Sequence, residues 1–386
     1  MSGAFGALGG DLSAIAINPA SSGIMNNGHF SISFGSDNKS GNVNILNSTR
    51  SFEKDNFTLN QIGGMINFEN LDQGDRWKKI SLGIVYNQSK NHFNEFSVYN
   101  ISNNNSIDSY FLNNANGLPI NEISAFEDES ISDAYIDIGN VFGYAHQQAF
   151  LGYESFIIDP NPDAENTYIS NVPSGTFNQD FISISRGYNG KLSFNAGFQY
   201  NQNIYFGVNL NSHFVDYDNY TIFNENNSNG ESGEFRVDGI YFENRLSAFG
   251  EGFSAQIGMI SKVTDVLRLG FVYDSPTWYT ISEETSQYLE TSIIDSDNNA
   301  IFLVTNPNAV NIYEDYTLRT PSKITASTAL VFKNFGLVSF DYSRRDYSSI
   351  KFKPENDSHF SNINQEIKLK LKDVNTLRFG AEILAD

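Results

Sequence analysis

Residues of the types that carry catalysis or bind metals are few in this 386-residue chain, and they do not stand at useful spacings. The five histidines form no HxxxH or HExxH motif. They are His29, His92, His146, His213 and His359. The sequence also lacks GxSxG, P-loop and CxxC motifs, and it contains no cysteine. We therefore expect no catalytic residues, no metal site and no resident cofactor, and hence no enzyme.

One acidic segment is similar to the start of a calcium-binding loop. Asp295, Asp297 and Asn299 have the required spacing, but Ala300 stands where such a loop needs glycine. Asn306 stands where it needs a bidentate glutamate. We interpret this segment as a polar loop tip.

Charged residues alternate with apolar ones in two segments of one local pattern, 267–271 and 377–382. If the apolar residues face lipid, a charge among them would cost about 2–4 kcal/mol. Arg268, Arg378 and Glu382 are therefore expected to face the lumen of a barrel. They either handle the carboxylate head group of a ligand or brace the interior by pairing with each other and with Asp341. We favour the bracing interpretation.

These two segments belong to a longer series of roughly ten residues each, in which every second residue is apolar. Examples are 192–200, 204–214 and 324–332. Such alternation is typical of membrane-spanning β-strands, which have one face toward lipid and one toward a polar lumen. No stretch approaches 18 apolar residues, which excludes a helical membrane protein. We predict an all-β, antiparallel transmembrane barrel.

Composition agrees with this prediction. Aromatic residues make up 14% of the chain, with 32 Phe and 20 Tyr, and barrels place such rings on the lipid face and in interfacial girdles. The net charge of −21 makes nucleic acid a poor partner. The acidic residues cluster in predicted loops, where we interpret them as solvated surface.

The connections between the predicted strands vary strongly in length. We predict short turns at 201–203, 262–265 and 333–334, and long extracellular loops at about 100–180, 215–243, 283–315 and 350–374. Within 100–180, the segments 109–116 and 144–153 are predicted short helices. We count 11 strands, or 12 if one is missed. Counted forward from the first strand, the short 201–203 turn falls on the extracellular side of the membrane, where long loops are expected. Either a strand between 88 and 180 is missed, or the segment 181–190, which ends in a predicted Asn189-Gly190 turn, is misread.

The first residues differ from the rest. Residues 1–27 are rich in Gly, Ala, Ser and Asn, show little alternation, and include Gly9, Gly10 and Asp11 ahead of Asn18-Pro19-Ala20. We predict that 1–27 form a hatch that plugs a barrel built from 28–386. Residues 1–10 do not read as a signal peptide, and Ala385-Asp386 is not the usual aromatic terminus of such barrels. We therefore expect a chain cut at both ends, without its last strands.

The sequence resembles the FadL/TodX family of outer-membrane channels, in particular a Bacteroidetes-type branch often labelled hemin receptor. The resemblance rests on ordered motifs: 3–14 leading to Asn18-Pro19-Ala20, 267–273 followed by Ser275-Pro276, 320–323, and 363–382. It implies a 14-stranded barrel plugged by a hatch that contains Asn18, Pro19 and Ala20.

The resemblance also implies a function. The family takes up long-chain fatty acids or other hydrophobic compounds passively across the bacterial outer membrane. A ligand would be captured by extracellular loops, pass to a site gated by the hatch, and leave sideways into the membrane. The implied partners are the hydrophobic ligand and outer-membrane lipid or lipopolysaccharide, and we expect a monomer.

Two other functions stay open. The same barrel could be a receptor for haem, held by one of the five histidines. A structural or adhesive surface β-protein is the alternative from another class, although rows of lipid-facing Phe, Leu and Ile argue against a protein that is soluble without detergent.

Overall fold

A computed structural model of the chain describes residues 3–45, 48–72, 74–332 and 335–383. One antiparallel sheet of 16 strands dominates it, beside a separate pair of short strands. The predicted all-β, antiparallel class is confirmed. None of the helices in the described ranges is long and apolar enough to cross a membrane. The predicted connection at 333–334 and the terminal residues 384–386 lie outside the described residues.

Long strands make up most of the chain, and short helices interrupt them. In chain order, the strands are β1 (His29–Ile45), β2 (Ser48–Glu69), β3 (Trp77–Asn91), β4 (Asn94–Asn103), β5 (Ile158–Pro160), β6 (Tyr168–Ser170), β7 (Phe177–Tyr200), β8 (Ile204–Asn227), β9 (Arg236–Lys262), β10 (Leu267–Asp274), β11 (Trp278–Ile294), β12 (Ala300–Thr305), β13 (Asn311–Ile312), β14 (Tyr316–Arg319), β15 (Lys323–Phe332), β16 (Gly336–Asp346), β17 (Lys351–Lys353) and β18 (Asp373–Ile383). The α-helices are α1 (Leu12–Ile15), α2 (Ser21–Ile24), α3 (Asp108–Ala115), α4 (Ile131–Phe142), α5 (Tyr144–Glu154) and α6 (Ser358–Lys370).

Ten strands lie side by side and form a wall. Their order is β1-β2-β3-β7-β8-β9-β10-β15-β16-β18, and each antiparallel pair consists of strands adjacent in this order. β4 continues β3 along β7, and β11 continues β10 along β9. Within the described ranges no pairing joins β1 to β18, so both edges of the wall are open there.

The two faces of the wall differ in polarity. On β3, Ile80, Leu82 and Ile84 are exposed, whereas Lys79 and Ser81 on the alternate face are buried. Each wall strand exposes at least one large apolar residue on the same outward face: Phe30, Ile66, Leu82, Phe194, Leu210, Ile257, Phe271, Ile324, Val338 and Leu377. This is the reverse of a soluble sheet, in which the apolar face is the buried one.

Aromatic rings border the outward apolar band on β3 and its neighbours. Trp77 contacts Tyr200 edge-on at one end, with ring centroids 5.1 Å apart. Tyr86 stacks on Phe214 at the other end, with centroids 5.9 Å apart. Tyr86 is nine positions along the chain from Trp77, which on a tilted strand corresponds to a height of about 23 Å. A transmembrane barrel carries its aromatic girdles at about this separation.

The structure resolves the miscount of strands. β7 runs without a break, and Asn189 and Gly190 pair with Val215 and Phe214 of β8 instead of forming a turn. The segment 181–190 was therefore the one misread, because an Asn-Gly pair also occurs inside a paired strand. β4 pairs with the same β7 and adds no further crossing. Along the wall, the described ranges contain ten strands side by side, against a prediction of 11 or 12.

Two of the predicted loops are largely strand. β8 and β9 occupy most of 215–243 and leave only 228–235 as a connection, and β11 and β12 occupy much of 283–315. The apolar alternation stops there because outward residues such as Asp216 and Asp218 are polar, although the ladder continues. The helices predicted at 109–116 and 144–153 are found as α3 and α5, whereas α4 and α6 were not predicted.

Helices and strands pack together at one end of the wall, which we call the helical end. Buried side chains of α3, α4 and α5 form a core with β9 and β11. Its largest members are Phe111, Tyr135, Phe150, Phe242 and Leu289. We call the opposite end the hatch end, since α1 and α2 and the short 201–203 turn lie toward it.

Candidate functional site

Residues 3–27, which we call the hatch segment, lie against the inner face of the wall. Leu12, Ala14 and Ile15 of α1 are almost completely buried, and Leu12 and Ile15 pack with Met65 and Val85 of the wall. The side chain of Asp11 caps α1 by accepting a hydrogen bond from the Ser13 amide at 2.8 Å.

Gly9 and Gly10 precede this cap with φ values of 66° and 97°. Backbone in this left-handed region favours glycine, because a side chain there is strained. The two glycines therefore let the chain turn into α1.

Asn18 is the central residue of the hatch segment and is fully buried. Its Nδ2 donates to the carbonyl of Gly6 at 2.7 Å and to that of Met259 on β9 at 3.3 Å. Its Oδ1 accepts from the Ala20 amide at 3.0 Å. The Asn18 side chain therefore connects the hatch residues before α1, the hatch residues before α2 and strand β9 of the wall.

Polar side chains of the inner face hold the backbone of the hatch segment. Backbone carbonyls without a regular partner need hydrogen bonds when buried, and short helices provide few. The wall donates them from Lys79 to Met25 (2.5 Å), Ser81 to Ser22 (3.0 Å), Asn195 to Pro19 (3.0 Å), Asn209 to Ile15 (2.9 Å), Gln256 to Ile17 (3.2 Å) and Arg268 to Leu8 (3.1 Å).

A row of glycines makes room for this close contact. Gly197, Gly207 and Gly258 are register partners across β7, β8 and β9. A Cβ on Gly207 would lie 2.2 Å from the carbonyl carbon of Pro19, and one on Gly258 would lie 2.1 Å from Asn18 Oδ1. The row was not predicted from the sequence. The only sign of it in the sequence is that each of the three strands has a glycine among its polar, inward-facing positions.

The charged residues predicted to face the lumen have different surroundings. Arg268 donates to the hatch segment, and the buried Asp341 accepts from the Gly6 amide at 3.1 Å. Arg378 is the register partner of Asp341 on β18, and its side chain lies next to Gly3. Glu382 is exposed on β18. Within the described ranges no ion pair joins any two of these four residues, and the bracing interpretation stays a prediction.

A small polar cavity of about 170 Å³ lies on the inner face of β15, β16 and β18. Lys323, Arg345 and Arg378 line it together with the hydroxyls of Ser343 and Thr376. Lys323 pairs with Asp274 at 3.1 Å. The buried Nε of Arg345 has no hydrogen-bond partner in the described structure. The cavity therefore presents cationic donors that could take an anionic group.

A larger cavity of about 600 Å³ lies at the helical end, between the helices and the inner face. Its apolar lining includes Tyr110, Phe181, Phe223 and Phe242, with Thr221 among the polar residues. A concave, mainly apolar site with a few polar groups is typical of small-molecule binding.

Amide and phenol groups fix the helices beside this cavity. The side chains of Gln148 and Gln287 donate to each other at 2.7 and 2.9 Å. Tyr110 donates to Gln148 at 3.0 Å, and Tyr135 donates to Gln287 at 2.8 Å. Burial raises the pKa of both phenols, which keeps them neutral donors. The network anchors α3, α4 and α5 to β11.

A buried carboxylate fixes the segment between β4 and α3. Glu225 of β8 accepts from Ser106 Oγ at 2.5 Å, from the Ile107 amide at 3.1 Å and from Gln179 Nε2 at 2.6 Å. Burial raises the pKa of this carboxyl group, and the three hydrogen bonds oppose the shift. Glu225 therefore holds the start of the helical region against the wall.

Comparison with solved structures finds matches among toluene transporters. The toluene transporter TbuX of Ralstonia pickettii matches 99% of this chain and 82% of its own, at 14% identity and a TM-score of 0.39. The toluene transporter TodX of Pseudomonas putida matches 92% and 73%, at 12% identity and a TM-score of 0.35. A TodX mutant described as a monoaromatic hydrocarbon channel matches 89% and 68%, at 12% identity and a TM-score of 0.40.

The structural neighbours are toluene transporters. They include TodX, one of the two namesakes of the family that the sequence resembles. At these identities and TM-scores, the likeness itself says nothing about what this chain transports. No family model and no curated protein matches the sequence.

Proposed function

We propose that this chain is an outer-membrane channel for the passive uptake of hydrophobic compounds. One observation carries the proposal: all ten wall strands turn apolar residues outward, while their polar inner face is occupied by the hatch segment. An outward apolar band of this kind needs a lipid environment. A purely structural barrel would not need a plug held by so many hydrogen bonds.

The orientation follows from the connections. The hatch end has short turns such as 201–203 and 263–266. At the other end lie the helices, and the long strands β7, β8 and β9 extend beyond the apolar band there. Barrels of the bacterial outer membrane have short periplasmic turns and long extracellular loops. The helical end is therefore the extracellular one in this proposal, and the hatch segment blocks the periplasmic half of the lumen.

The proposed route begins in the 600 Å³ cavity, where aromatic rings can capture an apolar solute. It continues down the lumen to the hatch segment, where Gly9, Gly10, Asp11 and Asn18-Pro19-Ala20 are the proposed gating residues. Opening must break or shift hydrogen bonds such as the one from Asn195 to Pro19.

The proposed exit is lateral. A groove of about 850 Å³ is bounded by outward residues Phe30, Ile66 and Leu82 and also by the inward residues Met65 and Asn195. β1, β2, β3 and β7 pair without a gap at this groove, so lateral exit requires the edge strand β1 to separate from β2. The groove then receives the apolar solute on the lipid side of the wall.

The ligand class is proposed on the chemistry of the two inner cavities. The aromatic cavity suits neutral hydrophobic compounds, including monoaromatic hydrocarbons such as the one named for the structural neighbours. Long-chain fatty acids form the second ligand class, with Arg345 and Arg378 taking the carboxylate. None of the five histidines lines the 600 Å³ cavity, so the haem alternative gains no support there.

Uptake by vesicles with a lipopolysaccharide outer leaflet tests the route, because toluene crosses a plain phospholipid bilayer unaided. Thr221→Trp fills the cavity and should reduce protein-dependent toluene uptake by about tenfold, equivalent to a loss of about 1.4 kcal/mol of binding. Ile222→Trp points to the other face of β8 and should leave uptake unchanged. Arg378→Gln should lower uptake of a long-chain fatty acid and spare toluene. Equal toluene uptake by the two tryptophan variants would contradict the proposed capture site.

A further inference from the structure

The C-terminal end of α6 is a basic patch in an acidic chain. Residues 344–372 contain seven Lys and Arg against four Asp and Glu, although the whole chain carries a net charge of −21. Lys368, Lys370 and Lys372 alternate there with Leu369 and Leu371. We call residues 368–372 the Lys–Leu tip.

Leu369 of this tip has no packing role in the described structure. The packed face of α6 is formed by partly buried residues, among them Phe360 and Ile367. The Phe360 ring lies 5.3 Å from that of Tyr316. Leu369 is two residues beyond Ile367, about 200° around the helix, and it is 80% exposed. An apolar side chain on the outer face of a surface helix, between lysines, points to a partner outside the chain.

The tip stands just above the outward apolar band. The Lys372 carbonyl accepts from the Tyr347 amide at 3.2 Å, and Asp373 is the register partner of Asp346 at the end of β16. Tyr342, an outward aromatic residue, lies four positions below Asp346 on the same strand. On a tilted strand this places the tip about 10 Å above the band, at the depth of lipid head groups.

The lysines of the tip are available for an outside partner. Lys370 is exposed and pairs only with Glu366 of its own helix, at 2.7 Å. Lys368 and Lys372 form no ion pair within the described ranges. Exposed i,i+4 pairs contribute only a few tenths of a kcal/mol, so Lys370 can exchange Glu366 for another anion.

We propose that the Lys–Leu tip binds the phosphate groups of lipids in the outer leaflet. This inference rests on the proposed insertion of the wall into the outer membrane. The ammonium groups attract the phosphates, and the leucines enter the interface between head groups and acyl chains. The tip then gives a chain with a large negative charge a local point of attraction to an anionic lipid surface.

The absence of cysteine makes a single label possible. An environment-sensitive fluorophore is attached to the Leu369→Cys variant of the full chain in phosphatidylcholine nanodiscs. Adding lipid A to the discs should shift its emission to the blue, dephosphorylated lipid A should not, and high salt should reverse the shift. Replacing Lys368, Lys370 and Lys372 by Gln should raise the lipid A content needed for half the shift, by about fivefold for each lysine.

Two further label positions separate the possible failures. A label on Phe235→Cys, an exposed site beside Glu231 and Glu234, should not respond to lipid A. A label on Phe271→Cys should report lipid in every disc. If Phe271 reports water, the proposed membrane channel fails. If Phe271 reports lipid and Leu369 ignores lipid A, or responds equally after dephosphorylation, the Lys–Leu tip proposal is overturned alone.

Discussion

At the scale of single residues, the inner face of the wall serves the hatch segment. Side chains from wall strands between β3 and β10 donate to hatch carbonyls, and Asp341 accepts from a hatch amide. Each bond is individually modest, but a buried carbonyl left without a donor costs about 1–3 kcal/mol. The hatch segment is therefore held by many separate contacts, which a ligand could release a few at a time.

Asn18 offers a sharp test of this holding. Asn18→Asp keeps the acceptor for the Ala20 amide but places a carboxylate oxygen against the carbonyls of Gly6 and Met259. The hatch segment should loosen by about 1–3 kcal/mol, seen as faster hydrogen exchange of residues 12–24 and higher conductance in planar bilayers. Asn26→Asp, the same change at an exposed position, is the matched control. Equal exchange in the two variants would contradict the assigned role of Asn18.

The glycine row gives a second test at this scale. Gly207→Ala forces a methyl group against the backbone of Pro19 and Ala20, so we expect the hatch segment to be displaced at a cost of about 1–3 kcal/mol. Gly74→Ala, in the exposed turn between β2 and β3, meets only the side chain of Asp72, at 3.3 Å, and serves as the control. Gly207→Ala should raise conductance and toluene uptake relative to Gly74→Ala. Unchanged permeability would show that the hatch segment is not what closes the lumen.

At the scale of elements, the wall and the helical end are joined by buried polar contacts. The reciprocal Gln148–Gln287 pair connects α5 to β11, and Glu225 connects β8 to the segment ahead of α3. Such contacts specify one docking geometry, because a misplaced helix leaves buried polar groups unpaired. The 600 Å³ cavity lies between these elements, so its shape depends on both connections.

Glu225 makes one of these connections depend on pH. Because its pKa is raised in the folded state, the folded form takes up a proton more readily than the unfolded form. Its contribution is fully present below the ordinary glutamate pKa of 4.5 and is lost as pH rises through the raised pKa. Opening of residues 104–107, measured by hydrogen exchange and corrected for intrinsic rates, should therefore increase with pH.

Glu225→Gln should remove this pH dependence, since the amide oxygen can accept from Ile107 and Gln179 while its nitrogen donates to Ser106. Glu225→Ala leaves three donors without a partner and should loosen the segment by about 1–3 kcal/mol at all pH values. A glutamine variant with the same pH profile as the natural chain would show that another group titrates.

At the scale of the whole molecule, the polarity of the two faces of the wall determines that the folded chain is stable in a lipid bilayer. Leu210→Arg puts a charge on the outward face in the middle of the band and should lower the free energy of unfolding in lipid vesicles by about 2–4 kcal/mol. Asn224→Arg makes the same addition on the same face of β8, above the band, and should cost little. Urea titration of vesicle-folded protein measures both. A similar loss for the two variants would argue against a lipid-facing band.

The order of residues along the chain was enough to predict which face each wall strand turns outward. Alternation is a local property, so residues such as Leu192, Phe194 and Ala196 specify the outward face without knowledge of their neighbours. The helices α3 and α5 were found for the same reason. Local signals also misled: Asn189-Gly190 is a turn motif that the ladder between β7 and β8 overrides.

The role of the inner face emerged only from the folded arrangement. The bond between Gly6 and Asp341 joins residues 335 positions apart, and Gly197, Gly207 and Gly258 form a row only when three strands pair in one register. The aromatic cavity likewise needs α3 and α5 to dock on β9 and β11. Such contacts depend on register and packing between distant segments, which no local pattern encodes. The alternation of apolar residues in the sequence determines the two faces of the wall. The inner-face site depends on the register in which distant strands pair.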